Sequence, residues 1–162
     1  MATRLLLVLI ALFWAAALSP ARAEEPDARI KPLVEKTGFR HEVDESGYFR
    51  VYVPVEGGRS QVVYVMSSTD DFQGTEVRRL WSPGYASNNK NLPKDLANYL
   101  LENTERKILG GWEAVDTDDG VLVVFMLKIE AVPTLEHLKV YLEAAAKVAD
   151  DLEKEYMKTD KW

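Results

Sequence analysis

The chain contains no cysteine, only two histidines and, beyond its first two dozen residues, no long apolar run. The first absence removes thiol nucleophiles, thiolate metal ligands and disulfides together, so the core alone must hold the fold. The second leaves His41 and His137 as the only side chains whose ordinary pKa lies near neutrality. Neither has a second histidine at a metal-binding spacing such as H-E-x-x-H, so each reads as an ordinary side chain, His41 on a strand and His137 in the first turn of a helix. No serine lies in a G-x-S-x-G setting, and Gly110-Gly111 lacks the third glycine and the strand-to-helix context of a dinucleotide site. Asp116-Thr117-Asp118-Asp119-Gly120 resembles the start of a calcium loop. However, Gly120 takes a ligand position and Leu127 stands where the bidentate glutamate belongs, which makes it a hairpin turn instead. These patterns predict no catalytic residue, no metal ligand and no cofactor.

A basic face is missing too. Acidic residues outnumber basic ones 26 to 20, and Lys and Arg are dispersed, which disfavours nucleic acid as a partner. The one long apolar stretch, Leu5 to Leu18, follows Arg4 and precedes the small-x-small site Ala21-Arg22-Ala23 and the acidic Glu24-Glu25-Pro26. That is the pattern of a cleaved secretory signal over residues 1–23, and the run is shorter than the ~20 residues of a spanning helix. No cysteine follows it to carry a lipid. Cleavage would remove Arg4 and Arg22, taking the formal charge from −6 to −8. The expected location is therefore periplasmic or secreted, with no membrane span after cleavage. Residues 24–30 read as a flexible polar N-terminus, and 31–162 as a single domain long enough to bury a real core.

Along that domain, Pro32, Leu33, Val34 and Gly38 outline a short helix with Pro in its first turn and Gly at its end. Phe39–Val43 reads as a strand. Tyr48–Val55 is a period-2 strand with Phe49, Val51, Val53 and Val55 on one face, Tyr48 and Tyr52 on the other, and Pro54 at its end. Gln61–Met66 is apolar on both faces, and Thr75–Trp81 is a weaker fourth strand after the break at Asp70–Gly74. Ser82–Asn91 is the richest stretch of turn residues and reads as a loop. A helix follows from Pro93 to about Arg106, then the hairpin Gly110–Ile129, then an amphipathic helix from Thr134 to about Lys158. Strands grouped before and after a helix predict an α+β fold in the order α-β-β-β-(β)-α-β-β-α. Its antiparallel sheet has five to six strands, with the long C-terminal helix on one face.

That helix accounts for Val121, Val123, Phe125, Leu127 and Ile129. Leu122, Val124 and Met126, joined by Tyr48 and Tyr52, form a second face too apolar for water. Either one of the shorter helices covers it, or it receives a protein partner or a second copy of the chain. Trp81, Tyr85 and Trp112 are further partner-binding candidates, because Trp and Tyr anchor interfaces. As an alternative, Trp81, Tyr85, Asn88, Asn89 and Trp112 could line a pocket for a small ligand or a hydrolytic reaction.

The order of elements resembles the YbjN-type proteins of the type III secretion chaperone-like fold. The residues that carry the resemblance are Leu92-Pro93-x-x-Leu96-Ala97-x-x-Leu100-Leu101-x-Asn103, Leu109-Gly110-Gly111-Trp112-Glu113 and Thr134-Leu135-x-x-Leu138. It spans about Ile30 to Tyr156 and rests on packing motifs. It implies a protein that works by binding other proteins and often dimerises, with no catalytic residues. The export signal departs from the cytoplasmic chaperones of that fold.

Overall fold

A computed structural model describes residues 25–162; the expected signal, residues 1–23, lies outside them. The fold is α+β, a six-stranded antiparallel sheet with three helices, the last of them long and packed on the sheet. In chain order the elements are α1 (Lys31–Thr37), β1 (Arg40–Val43), β2 (Phe49–Pro54), β3 (Ser60–Phe72), β4 (Thr75–Ser87), α2 (Lys94–Glu105), β5 (Gly111–Thr117), β6 (Gly120–Glu130) and α3 (Leu135–Leu152). A π-helical turn, Glu153–Met157, extends α3. The strands lie in the order β1-β2-β3-β4-β6-β5. Among the described residues no helix is long and apolar enough to cross a membrane.

Phe49, Val51, Val53, Val63, Val65, Leu80, Phe125, Leu127 and Ile129 point to one side of the sheet. There they bury against Leu138, Leu142, Ala145 and Ala146 of α3 and Val34 of α1. Burying such side chains stabilises by roughly 1.5–3 kcal/mol each, and this layer is the main core. A second cluster joins it on the same side, where Leu96 and Leu100 of α2 pack with Val123, Leu152, Tyr85 and Trp112. All three helices therefore share one face, and the expectation that α1 or α2 covers the other is corrected. The reason is economy of apolar surface: the inward residues of α1 and α2 are already spent on Val123, Leu152 and α3.

A second correction concerns Ser82–Asn91. The strand β4 does not stop at Trp81 but continues to Ser87 between β3 and β6, with Pro83 inside it. Proline cannot donate to a ladder, which is why the sequence reads as a loop there. The structure resolves this by letting β3 part from β4 beyond the Tyr64–Trp81 pair. Side chains then take over: Gln61 Nε2 donates to the Pro83 carbonyl at 2.6 Å and Ser82 Oγ donates to the Val62 carbonyl at 2.7 Å. Likewise the break placed at Asp70–Gly74 narrows to a turn at Gln73-Gly74, both with positive φ, at the tip of the long β3–β4 hairpin.

Two ionic clusters tie the edges. Arg78, fully buried, donates to the carbonyls of Ala131 at 2.7 Å, Met66 at 2.5 Å and Ser67 at 2.8 Å, and to Asp27 Oδ2 at 2.7 Å. It thereby pins the irregularity between Val65 and Thr69, where β3 carries extra residues against β4. Arg59 pairs with Asp150 at 2.8 Å and with the fully buried Glu153 at 3.4 Å, and Lys154 pairs with Asp150 at 2.6 Å. Asp150, buried, is thus shared between Arg59 and its i,i+4 partner Lys154, whereas the i,i+4 pair Lys147–Asp151 is exposed.

Candidate functional site

The uncovered face of the sheet is organised in rows across the strands. One row runs Glu42, Arg50, Tyr64, Trp81, Met126 and Gly111, each residue directly opposite the next. Its centre is a stacked pair, with the Tyr64 and Trp81 rings 4.0 Å apart and 10° from parallel. Arg50 lies over the outer side of Tyr64 and binds Glu42 at 3.0 Å. Beside this row Tyr48, Met66, Arg79, Trp81, Val115, Leu122, Val124 and Met126 line a shallow depression of about 250 Å³. Such aromatic stacking contributes ~1 kcal/mol beyond area burial.

Five of the eight sequence candidates meet here: Tyr48, Trp81, Leu122, Val124 and Met126. Tyr52 occupies the same face nearer β1, under the Arg40 guanidinium at 3.6 Å, and its hydroxyl donates to Glu42. Val124 is only 1% exposed and Met126 only 8%, because neighbouring side chains wall them in, so they form the floor, and Trp81, Leu122 and Val115 the reachable part. Val115 of β5 is 42% exposed.

Tyr85 and Trp112 are not part of this surface. A bulge places Gly84 and Tyr85 together opposite Val123, which inverts the alternation after Pro83. Trp81 stays on the open face, while Tyr85 turns into the cluster beneath α2. Gly84 leaves room there, since a Cβ would sit 3.0 Å from Leu152 and 3.1 Å from Trp112. Trp112 meets Phe125 edge-on at 5.2 Å, and its Nε1 donates to Asn103 Oδ1 at 2.9 Å. The pocket suggested for Trp81, Tyr85, Asn88, Asn89 and Trp112 is therefore not assembled, because the sheet separates Trp81 from Tyr85 and Trp112.

Tyr64, Met66, Arg79 and Val115 belong to the surface and are not identifiable from composition. The signal for two of them is the alternation Val62, Tyr64, Met66, which becomes legible only once Val63 and Val65 are known to face α3. The border is charged but matched, with Arg50–Glu42 at 3.0 Å, Arg79–Asp70 at 2.9 Å and Lys128–Glu113 at 3.2 Å. Partly exposed pairs of this kind contribute ~0–1 kcal/mol each. Their effect is to neutralise the rim, leaving apolar and aromatic contact as what the face offers.

Chemistry-bearing groups lie elsewhere and apart. His137 Nδ1 is 3.2 Å from Glu130, whose other oxygen accepts from Tyr141 at 3.1 Å, on the exposed start of α3. His41 Nδ1 is held by the Phe39 carbonyl at 3.0 Å. Among the described residues no three His, Asp or Glu side chains are grouped to hold a metal. Comparison with models of known protein families and with curated proteins gives no match.

Proposed function

We propose that this chain is an exported, non-catalytic binding domain that receives a protein partner, or a second copy of itself, on the open face of its sheet. A single observation carries the reading: all three helices pack on one side, leaving an aromatic and apolar floor around Trp81 without a cover among the described residues. Trp and Tyr at the centre of an apolar surface are the usual anchors of interfaces. The YbjN-type resemblance agrees in element order and in a binding role. A small-ligand or hydrolytic reading loses its best pocket with the separation of Trp81 from Tyr85 and Trp112.

The test is site-specific photo-cross-linking in an exporting host. A benzophenone amino acid replacing Trp81 is expected to yield discrete cross-linked species, whereas the same group replacing Lys147, on the outer side of α3, yields none. Equal cross-linking at the two positions, or none at 81, sinks the proposal. Sedimentation of the purified chain separates the two occupants, since a second copy gives a dimer that Trp81→Ala weakens.

A further inference from the structure

We infer that the chain has a second docking site, an edge groove between α2 and β5 that takes an extended peptide of another protein as a seventh strand. The strand β5 is an outer strand of the sheet, paired only with β6. Its Trp112 N–H points away from β6, because it donates to Thr104 Oγ1 of α2 at 3.0 Å. By the alternation of an antiparallel ladder, Ala114 and Asp116 also direct their N–H and C=O outward. No described residue meets those groups. Edge strands of this kind are normally blunted, and an open one is a template for strand addition.

The helix α2 supplies the other wall. It leaves the end of β4 beside the β5–β6 turn and finishes against Trp112, so it runs alongside β5 in the opposite direction. Between the two lies a groove of about 250 Å³ lined by Leu92, Ala97, Leu100, Leu101, Trp112 and Ala114, with Glu113 at its border. Leu101, 72% exposed, is the most accessible large apolar side chain of this groove. An added strand would place alternate side chains in this groove, so the occupant carries apolar residues at every second position.

Every pairing in this sheet is antiparallel, which is also the stronger ladder, so the added strand is taken as antiparallel to β5, and charge then orders its flanks. Arg106 and Lys107 stand where α2 gives way to β5, and Asp116, Asp118 and Asp119 stand at the other end of the strand. None of the five forms an ion pair among the described residues. A strand antiparallel to β5 begins beside the three aspartates and ends beside Arg106 and Lys107. The matching peptide therefore has Lys or Arg before its apolar core and acidic residues after it. Glu102 and Glu105, in the last turns of α2, stand at the same end as Arg106 and Lys107 and offset them, so the basic flank of the peptide contributes more than the acidic one. A second copy of β5 is the poorer occupant: it would lay Asp116 against the apolar groove and bring a second α2 into the same space.

The experiment uses the full chain, purified after export, and a labelled probe, Lys-Lys-Thr-Val-Leu-Val-Thr-Glu-Glu, followed by fluorescence polarisation. Saturable binding is expected, at least tenfold weaker for Ala114→Pro, which deletes an outward N–H without touching the β6 ladder. Leu101→Lys, on an exposed helix surface, weakens it as well and serves if Ala114→Pro melts early. Placing the two glutamates first and the two lysines last weakens binding severalfold. Trp81→Ala leaves it unchanged, which separates this site from the open face. The inference fails if the probe does not saturate, if both groove variants bind as the parent does, or if Trp81→Ala abolishes binding. It fails too if Ala114→Pro merely dissociates a dimer, since the edge then belongs to self-pairing.

Discussion

Replacing Arg78 with methionine is the most informative single test of how this fold is held. The guanidinium is fully buried and makes four contacts, to the carbonyls of Ala131, Met66 and Ser67 and to Asp27. Methionine fills much of the volume and supplies none of the donors. The Ala131 carbonyl loses its partner in a buried setting, at ~1–3 kcal/mol. The other three acceptors are partly reachable by water and lose less, and Asp27 keeps Arg29 at 2.7 Å. Breaking a buried charged network at one member typically costs about 3–5 kcal/mol, and the loss of all four hydrogen bonds of Arg78 places this case in that range. With a urea m-value of roughly 2 kcal/mol/M for a domain of this size, the midpoint should fall by about 2 M. Arg78→Lys keeps the charge beside Asp27 but not the planar fork, so it should fall between the two. A midpoint drop under ~0.5 M for Arg78→Met at unchanged m would refute the argument that Arg78 organises the Val65–Thr69 irregularity.

Acid should unfold the protein through the same corner. Arg29 and, less strongly, Arg78 hold the Asp27 carboxyl well below the usual range, and Arg29 with Thr69 lowers Glu76 to about 2. Both folded values lie below the unfolded ones, so this stabilisation is present above pH ~4.3 and lost as pH falls toward 2. Thermal melts from pH 5 to 2.5 should show a steeper decline for the parent than for Asp27→Asn, and parallel curves would contradict the assignment. Gly120→Ala should lower stability by about 3 kcal/mol, because the new Cβ would lie 2.0 Å from the Ser87 carbonyl and 2.7 Å from Asn88 Cα. Chemical denaturation checks it, and a loss under ~1 kcal/mol would mean the Ser87–Asn88 backbone yields.

The long periodic elements were legible in the sequence because each is governed by its own side chains. Val121 to Leu127 is a continuous apolar run, and Val123, Phe125, Leu127 and Ile129 on one face of the strand are buried in the helix-packed clusters. The stripe Leu138, Leu142, Ala145, Ala149 and Leu152 is buried along α3 as its spacing demands, with Thr134 capping the helix through the His137 N–H. What could not be read depends on partners distant in the chain. Pro83 and Gly84 are turn residues by local chemistry. They lie in a strand only because Gln61 and Ser82 replace the missing ladder bonds and because β6 offers an unbroken partner. Arg78, on a weak strand, gave no hint of burial, since its acceptors come from three separate segments.

The same bulge decides which surface can bind. Trp81 and Tyr85 are four residues apart, and in an unbroken strand both would look out from the open face. One extra residue turns Tyr85 to the helix side, packed partly buried against the cluster beneath α2, and leaves Trp81 on the open face, stacked on Tyr64. Removing that irregularity would move a partly buried tyrosine to the open face and pull the Leu152 contact away from Gly84. The open face is therefore a consequence of the helix-side packing. Val124, which looks from its alternation like the natural residue to probe, is walled in at 1% exposure, so a charge there tests the fold before it tests any partner. Trp81 and Leu122, partly exposed on the same floor, are where binding can be altered while the core stays intact.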